Sequence, residues 1–334
     1  MSSISIIIPC YNEEIYVANC IESISSSHIE VEQLEIIFID GKSSDRTVEI
    51  IEEYIVKYPY IKLLSNPKKH TPISMNMGIK ASSGEYIFIL SAHAKYSSDY
   101  FSKLTYHCKE LDAQCVGGVL TTDVKNHNKK SNSIKEVLTS KFGVGNASFR
   151  IGSNSIKEVD TVAFGCYHKK TFEKYGLFDE RLIRNQDIEL NKRIINGGGK
   201  IYLIPEVKAT YFARENFKNL ATNNYSNGFW NILTAYYTKT LNSLSLRHFI
   251  PLIFILSLFL PIIASLFYKP LVWIFLLSSG SYLCLVIIIS FKLKKRSNSF
   301  FYLLLSFITL HFSYGVGSLV GILSLISATV KGSK

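Results

Sequence analysis

The chain has 334 residues, of which 47% are hydrophobic, and its formal net charge is +11. That length suits one large domain with an appendage. The six cysteines form no CxxC pair and no regular framework, which fits a reducing compartment better than a disulfide scaffold. No RNP, KH or zinc-finger signature accompanies the positive charge, so no nucleic-acid polymer is expected as a partner.

Short apolar segments alternate with amphipathic segments through the first 120 residues. The pattern predicts strands at 4–8, 35–39, 61–64, 85–90 and 115–120, and helices at 13–26, 45–57, 71–82 and 99–112. Strands that alternate with helices predict an α/β fold with a mostly parallel sheet. Further along, KNHNKKSNS (125–133) is interpreted as a polar loop, and NQDIELNKRI as the start of a helix before a strand at 200–204.

Polar side chains follow the first two predicted strands, namely Asn12, Glu13, Asp40 and Asp45. In an open α/β sheet, ligands bind at the carboxyl ends of the strands. Acidic turns suit the base and ribose of a nucleotide, whereas neither GxGxxG nor GxxxxGK[ST] is present. The sequence therefore predicts a nucleotide site that lacks a glycine-rich phosphate loop.

The last third of the chain contains three apolar runs, 249–268, 271–291 and 300–327, without Asp, Glu, Lys or Arg. Each reaches the roughly 20 residues that cross a bilayer, so we expect about three transmembrane segments in contact with lipid. A third full span and a hairpin broken at the glycines of the last run remain alternatives.

The expected location is the plasma membrane, as a multi-pass protein whose catalytic domain is cytoplasmic. Residues 4–8 are too short for a signal peptide and lack a basic lead. The basic loop from Lys292 to Arg296 is expected on the cytoplasmic side.

A series of motifs covers nearly the whole chain in order: IIPCYNEE, FIDGKSSDRT, NMGIKASSGEYIFIL, SAHAKY, FGVGNASFR, VDTVAFG, FDERLIRNQDIELNKRI and HFSYGVGS. The series resembles family 2 glycosyltransferases of the GT-A fold, and among them the membrane-bound succinoglycan or exopolysaccharide-type bacterial enzymes. The resemblance implies a Rossmann-like GT-A domain at 1–230, with a donor half at 1–120 and an acceptor half at 121–230. An interfacial linker at 231–248 and a membrane domain at 249–330 would follow.

The resemblance implies an inverting transferase that moves one sugar from a nucleotide sugar, of which a UDP-sugar is the expected kind, to a lipid-linked saccharide. The acceptor would be carried on polyprenyl diphosphate, in cell-surface polysaccharide biosynthesis. A Gln-x-x-Arg-Trp motif, expected of processive synthases, is missing, and the nearest text is NNYSNGFW. The alternative is a catalytically weak subunit that binds nucleotide sugars or acts as a scaffold.

Six residues acquire donor-binding roles from the resemblance: Pro9, Tyr11, Asn12, Glu13, Asp40 and Ser91. Glu13 would lie near the ribose, and Asp40 would face a nucleobase that is usually uracil in such enzymes. The alternative for Asp40 is a turn-capping carboxylate at the end of a strand.

The segment LSAHAKY occupies the position where this fold usually carries Asp-x-Asp. Those carboxylates hold a divalent cation, Mn²⁺ or Mg²⁺, on the donor diphosphate. Here Ser91 replaces the first Asp, and His93 stands as an alternative metal ligand or a hydrogen-bonded structural residue. Metal dependence is therefore open, and nearby cations could neutralise part of the diphosphate charge in place of a metal ion.

The family's Glu-Asp motif corresponds to Gln186 and Asp187. The resemblance implies that Asp187 is the general base that deprotonates the acceptor hydroxyl. The alternative is an Asp favoured by the helix N-terminus. The acceptor-binding candidates are Asp160, Arg184, Gln186, Arg214 and Trp230.

Overall fold

A computed structural model describes residues 3–29, 33–239 and 248–332 of the chain. Two compact units divide the chain: Met1–Thr122 with Ala147–Phe212, and Asp123–Asn146 with Ala213–Lys334. The first unit contains the sheet, and the second contains helices from the middle and the end of the chain.

The strands are β1 (Ile4–Cys10), β2 (Leu34–Asp40), β3 (Ile61–Ser65), β4 (Tyr86–Ile89), β5 (Ala94–Tyr96), β6 (Cys115–Asp123), β7 (Lys157–Glu158), β8 (Cys166–His168) and β9 (Ile201–Phe212). Within the described residues they form one sheet in the order β3-β2-β1-β4-β8-β6-β9-β5, with β7 beside β9. The β3-β2-β1-β4 portion is parallel, whereas β8 pairs antiparallel with β4 and β6. The α/β class is confirmed, and the parallel portion contains the first two strand ends.

The helices are α1 (Val17–Ser25), α2 (Thr47–Lys57), α3 (Thr71–Ala81), α4 (Tyr100–Glu110), α5 (Lys129–Thr139), α6 (Lys141–Val144), α7 (Ser148–Ile151), α8 (Lys169–Tyr175), α9 (Gln186–Asn196), α10 (Phe217–Thr238), α11 (Ile250–Ala264), α12 (Val272–Leu293) and α13 (Phe300–Gly332). The predicted helices of the first 120 residues agree with α1 to α4, although α1 begins at Val17 rather than near residue 13.

The sheet of the first unit is buried on both faces. Along β1, Ile6 and Ile8 join one apolar cluster with α1, α2 and α4, while Ile7 joins another with α3, α8 and α9. Successive residues of a strand point to opposite faces, so a continuous Ile run covers both. The result is a three-layer α/β/α unit.

The predicted polar loop at 125–133 is wrong, because α5 begins at Lys129. The Asn128 side chain accepts hydrogen bonds from the N–H groups of Lys130 and Ser131, and the Ser131 hydroxyl accepts one from the Asn128 N–H. This capping box starts a helix inside a very polar segment. Buried Val137 of α5 packs in a cluster with α12 and α13.

The observed units also differ from the predicted domain limits. Residues 123–146 and 213–230 group with the C-terminal helices because α5 and α10 pack against α13. Residues 231–238 of the predicted linker continue α10, and 240–247 lie outside the described residues.

Two C-terminal segments, Lys269–Leu293 and Phe300–Ser327, are long and apolar enough to span a membrane. Helix α11 is apolar but only 15 residues long, below the length expected for a span. Helix α13 continues through its glycines, so the hairpin alternative for the last run is wrong.

Candidate active site

A cleft of about 320 Å³ lies at the carboxyl ends of β1 and β4 in the first unit. Its volume is at the lower end of the range for small-molecule sites. The polar side chains that line it include Tyr11, Glu13, Lys69, Ser91, His93, Gln186 and Asp187. Pro9 also lines the cleft. Apart from Lys69, these residues were all predicted from the sequence, so seven of the predicted site residues belong to the cleft.

Hydrogen bonds connect the turn that follows β1 to the turn that follows β2. Asn12 has a positive φ of 55°, a backbone conformation that Asn tolerates better than most residues. Its N–H donates to Ser43 Oγ at 2.9 Å, and its Oδ1 accepts from the Ser44 N–H at 2.8 Å. The Glu13 N–H donates to Thr47 Oγ1 at 2.7 Å, so this network holds the Glu13 backbone at the cleft.

Asp40 is buried and uses its carboxylate inside its own turn. Its oxygens accept from the Ser43 N–H at 3.1 and 3.2 Å and from Ser43 Oγ at 2.6 Å. Neither Asp40 nor Asn12 is among the residues that line the cleft. Their observed contacts favour a turn-stabilising role, and any contact with a nucleobase remains a prediction.

Glu13, Ser91 and His93 meet at one side of the cleft. His93 Nδ1 lies 3.0 Å from Glu13 Oε1 and 3.2 Å from Ser91 Oγ. The side chains of His93 and Glu13 are 21% and 14% exposed, so the pair is largely shielded from water yet accessible from the cleft. Edge contacts with the rings of Tyr16 and Tyr211 hold the imidazole from other directions.

Asp187 lies in the first turn of α9. Asn185 precedes the helix in the left-handed conformation, and Leu190 and Ile194 anchor it in the core. Burial raises the pKa of Asp187, against a lowering contribution from the hydrogen bond donated by the Ile188 N–H. A raised pKa makes the carboxylate a stronger base, as a general base requires.

Gln186 precedes Asp187 and also lines the cleft. Its Oε1 is buried and has no hydrogen-bond partner within the described part of the chain. Buried polar atoms are rarely left unsatisfied in folded proteins, and each exception calls for an explanation such as a bound water or a role in the site. Gln186 Oε1 is therefore an unsatisfied acceptor on a residue that lines the cleft.

The glycosyl transferase family 2 model matches residues 5–167. The chain is also similar to a curated Methanococcus voltae protein, dolichyl N-acetyl-alpha-D-glucosaminyl phosphate 3-beta-D-2,3-diacetamido-2,3-dideoxy-beta-D-glucuronosyltransferase. The two are 33% identical over 236 residues, which cover 68% of this chain and 72% of the relative. The chain belongs to glycosyl transferase family 2.

This glycosyltransferase is also similar to the succinoglycan biosynthesis protein ExoA of Rhizobium meliloti, with 25% identity over 63% of each chain. A crystal structure of GalNAc-T7 with UDP, GalNAc and Mn²⁺ matches with a TM-score of 0.51 and 16% identity. The match covers 64% of this chain and 44% of that one, and it shows the GT-A-like fold alone.

Four of the predicted acceptor-binding residues are not among the residues that line the cleft. Asp160 and Arg184 belong to the first unit, whereas Arg214 and Trp230 belong to the second unit of the glycosyltransferase. Trp230 lies in α10, where its ring contacts Phe229 edge to face. The acceptor roles of these four residues remain predictions.

The residues at the usual metal position do not fit the Asp-x-Asp mode of binding. Glu13 contacts His93, which in turn contacts Ser91, and Glu13 Oε1 is engaged with the imidazole. No group of three or more His, Cys, Asp or Glu side chains suited to a metal is present among the described residues. Mn²⁺ and Mg²⁺ favour carboxylate oxygens, and Ser91 removes one of them.

Lys69 is a cleft residue that the sequence analysis missed. Its ammonium lies 5.3 Å from the centre of the Tyr11 ring, on the segment that leads into α3. A positive φ of 60° at Lys69 turns the chain there. The sequence carries no distinct signal for this placement, because NPKKH is typical of an ordinary polar loop.

Proposed function

We propose that this glycosyltransferase moves one sugar from a UDP-sugar to a lipid-linked saccharide, with inversion at the anomeric carbon and with Asp187 as general base. The observation that carries the proposal is the shared cleft of Asp187, Glu13 and His93, in which burial raises the pKa of Asp187. One face of such a cleft can bind the donor while the carboxylate acts on an incoming hydroxyl.

In the proposed step, the acceptor oxygen bonds to the anomeric carbon while the bond from that carbon to the diphosphate oxygen breaks. Asp187 takes the hydroxyl proton, and the nucleoside diphosphate leaves with the bonding electrons. Attack opposite the leaving group inverts the anomeric configuration. Gln186 Oε1, which lacks a partner among the described residues, accepts a hydrogen bond from another hydroxyl of the acceptor sugar.

The proposed donor site uses Pro9, Tyr11 and Glu13 at the end of β1, with Ser91 at the end of β4. Tyr11 is 51% exposed and offers its ring face to a base. Binding of UDP by a protein of similar fold supports the choice of a uridine nucleotide, as does the resemblance of the motif series.

The proposed acceptor is carried on a lipid, through polyprenyl diphosphate or a related phosphate, and serves cell-surface polysaccharide synthesis. The name of the Methanococcus voltae relative specifies a dolichyl phosphate-linked sugar, and ExoA is named for succinoglycan biosynthesis. The apolar side chains of α12 are largely exposed, as in a helix that faces lipid. We propose a multi-pass protein of the cell membrane whose catalytic unit is cytoplasmic.

The test is a transfer assay with the full chain in nanodiscs, UDP-, GDP-, CMP- and dTDP-sugars, and a polyprenyl-linked N-acetylglucosamine acceptor. We expect transfer from a UDP-sugar, a product of inverted configuration by NMR, and a loss of roughly 10²- to 10⁴-fold for Asp187→Asn. Asp99→Asn at the N-cap of α4, whose carboxylate pairs with Lys103, is the matched control and retains activity. Equal inertness of wild type and Asp187→Asn, with nucleotide binding intact, would support the binding-subunit alternative.

A further inference from the structure

Arg150, the last residue of FGVGNASFR, has an environment that the proposed function does not explain. It lies in α7 of the first unit, and its guanidinium carbon is 5.5 Å from the centre of the Phe149 ring and 5.4 Å from that of Tyr211. These are cation–π distances. The side chain is therefore held between aromatic rings rather than paired with an acid.

The Arg150 guanidinium has no carboxylate partner and no side-chain hydrogen bond within the described part of the chain. Burial lowers its pKa, but a guanidinium remains charged in proteins. Five N–H donors are thus present without an acceptor. Arg150 is only partly buried, so water or a ligand, rather than an acidic side chain, is left to accept from these donors.

The place of Arg150 in the fold links it to the residues at the usual metal position. Tyr211, which packs against the guanidinium, also contacts the His93 ring with a centroid distance of 5.3 Å. In the register of the sheet, Tyr211 of β9 is paired with Ala94 of β5, next to His93. Arg150 is therefore separated from His93 by one aromatic ring, Tyr211, and its charge lies near the place where one carboxylate for a cation is missing, although Arg150 is not among the residues that line the cleft.

We infer that Arg150 binds a phosphate group of a substrate and supplies charge that a cation held by Asp-x-Asp would otherwise provide. The planar guanidinium can donate two parallel hydrogen bonds to phosphate oxygens, which would satisfy the donors that the chain leaves free. The inference rests on the proposed function for the identity of the phosphate. This is either the diphosphate of the nucleotide sugar or the phosphate that joins the acceptor to its lipid.

The first experiment measures anion binding without any sugar transfer. Thermal unfolding of the full chain in detergent, with EDTA present, is followed with inorganic pyrophosphate and with sulfate at equal ionic strength. A ligand that binds only the folded state raises the unfolding temperature. We expect pyrophosphate to stabilise wild type and Lys103→Gln, which loses one exposed surface charge, with a Kd at least tenfold weaker for Arg150→Gln.

Arg150→Lys keeps the charge but loses the bidentate geometry, so its pyrophosphate affinity should fall between those of wild type and Arg150→Gln. Two further arms identify the source of the phosphate. Weaker binding of UDP with unchanged binding of uridine assigns Arg150 to the donor. Unchanged UDP binding with a raised KM for a prenyl phosphate-linked acceptor assigns it to the acceptor.

Absence of stabilisation of wild type by pyrophosphate beyond that by sulfate would overturn the inference. It would also be overturned if Arg150→Gln unfolded at a lower temperature but bound pyrophosphate, UDP and acceptor as wild type does, because Arg150 would then serve only to pack between rings. Asp187→Asn should retain pyrophosphate binding, so a failure of the proposed transfer reaction remains distinguishable from a failure of this inference.

Discussion

Glu13 Oε1 and His93 Nδ1 are 3.0 Å apart, although 80 residues separate them in the chain. The contact joins the turn after β1 to the segment after β4. With Nδ1 protonated, the imidazole donates to the carboxylate, and Ser91 Oγ is adjacent at 3.2 Å. The carboxylate of Glu13 therefore already has a partner within the chain.

This arrangement predicts transfer that survives removal of divalent cations. In the assay described above, wild type should retain most of its activity after EDTA treatment, because Ser91 lacks the charge that a cation requires. Ser91→Asp should add a second carboxylate near Glu13 and create Mn²⁺ binding, measurable by calorimetry. Ser91→Asn, similar in size but neutral, is the control and should bind no Mn²⁺. Complete loss of wild-type activity with EDTA, restored by Mn²⁺, would contradict this expectation.

The sequence could predict the donor side of the fold because each apolar strand is followed by a polar turn and an amphipathic helix. Strand ends of a parallel sheet meet at one edge, which brought Glu13 and Ser91 to the same expected site. The sequence could not predict the contacts of Asp40, because a carboxylate at a strand end can accept hydrogen bonds either from a ligand or from the turn that follows the strand. In the structure, Ser43 occupies both oxygens.

The sequence could not predict the positions of the Arg150 and Lys69 side chains, and the reason is different. Their positions depend on loops that pack against distant strands, and loop paths are set by tertiary contacts rather than by periodicity. The polar composition of residues 125–133 is typical of a loop, so the sequence did not predict helix α5. The capping pair of Asn128 and Ser131 is the signal that marks its start.

The raised pKa of Asp187 predicts the pH dependence of transfer. Activity should fall on acidification through a pKa above that of an ordinary Asp, because the protonated carboxyl cannot accept the hydroxyl proton. The measurement is kcat against pH with saturating donor and acceptor. An acidic limb at the ordinary Asp value would contradict the assignment of Asp187 as base.

The same shift predicts that Asp187→Asn is more stable than wild type at neutral pH. A folded-state pKa above the unfolded value means that the folded chain binds the proton more tightly, so stability falls as pH rises through that window. The difference in unfolding temperature between the variant and wild type should shrink at pH values below the unfolded pKa. An equal difference at every pH would indicate a packing effect instead.

The pKa of Glu35 is lowered rather than raised, so its carboxylate should stabilise the fold as pH rises. Burial alone would raise its pKa, but hydrogen bonds from Lys62, Ser5 and Ser83 outweigh burial and lower the pKa to about 2. Its contribution to stability is present above the unfolded pKa and should be lost as pH falls towards 2. Glu35→Ala should cost about 2–4 kcal/mol at neutral pH, since the buried Ser5 hydroxyl loses its acceptor. Chemical denaturation at pH 7 and pH 3 should show a smaller cost at pH 3.

The second unit depends on close packing of α10 against α13. A methyl group at Gly228 of α10 would collide with the carbonyl oxygen of Tyr314, and Ser318 Oγ donates to the Gly228 carbonyl at 3.1 Å. Gly228→Ala should therefore destabilise the folded chain by about 1–3 kcal/mol, because a backbone contact cannot yield as a side chain does.

Gly280 provides the matched control, since it also lies inside a helix, α12, but no atom of the described residues outside its own helical turn lies within 4 Å of the added methyl. Gly280→Ala should be neutral or stabilising by up to about 1 kcal/mol through backbone entropy. Both variants are compared by thermal unfolding of the full chain in the same detergent. Equal unfolding temperatures for the two variants would mean that α10 and α13 separate enough to admit a methyl group, and that the close contact at Gly228 contributes little to the stability of the second unit.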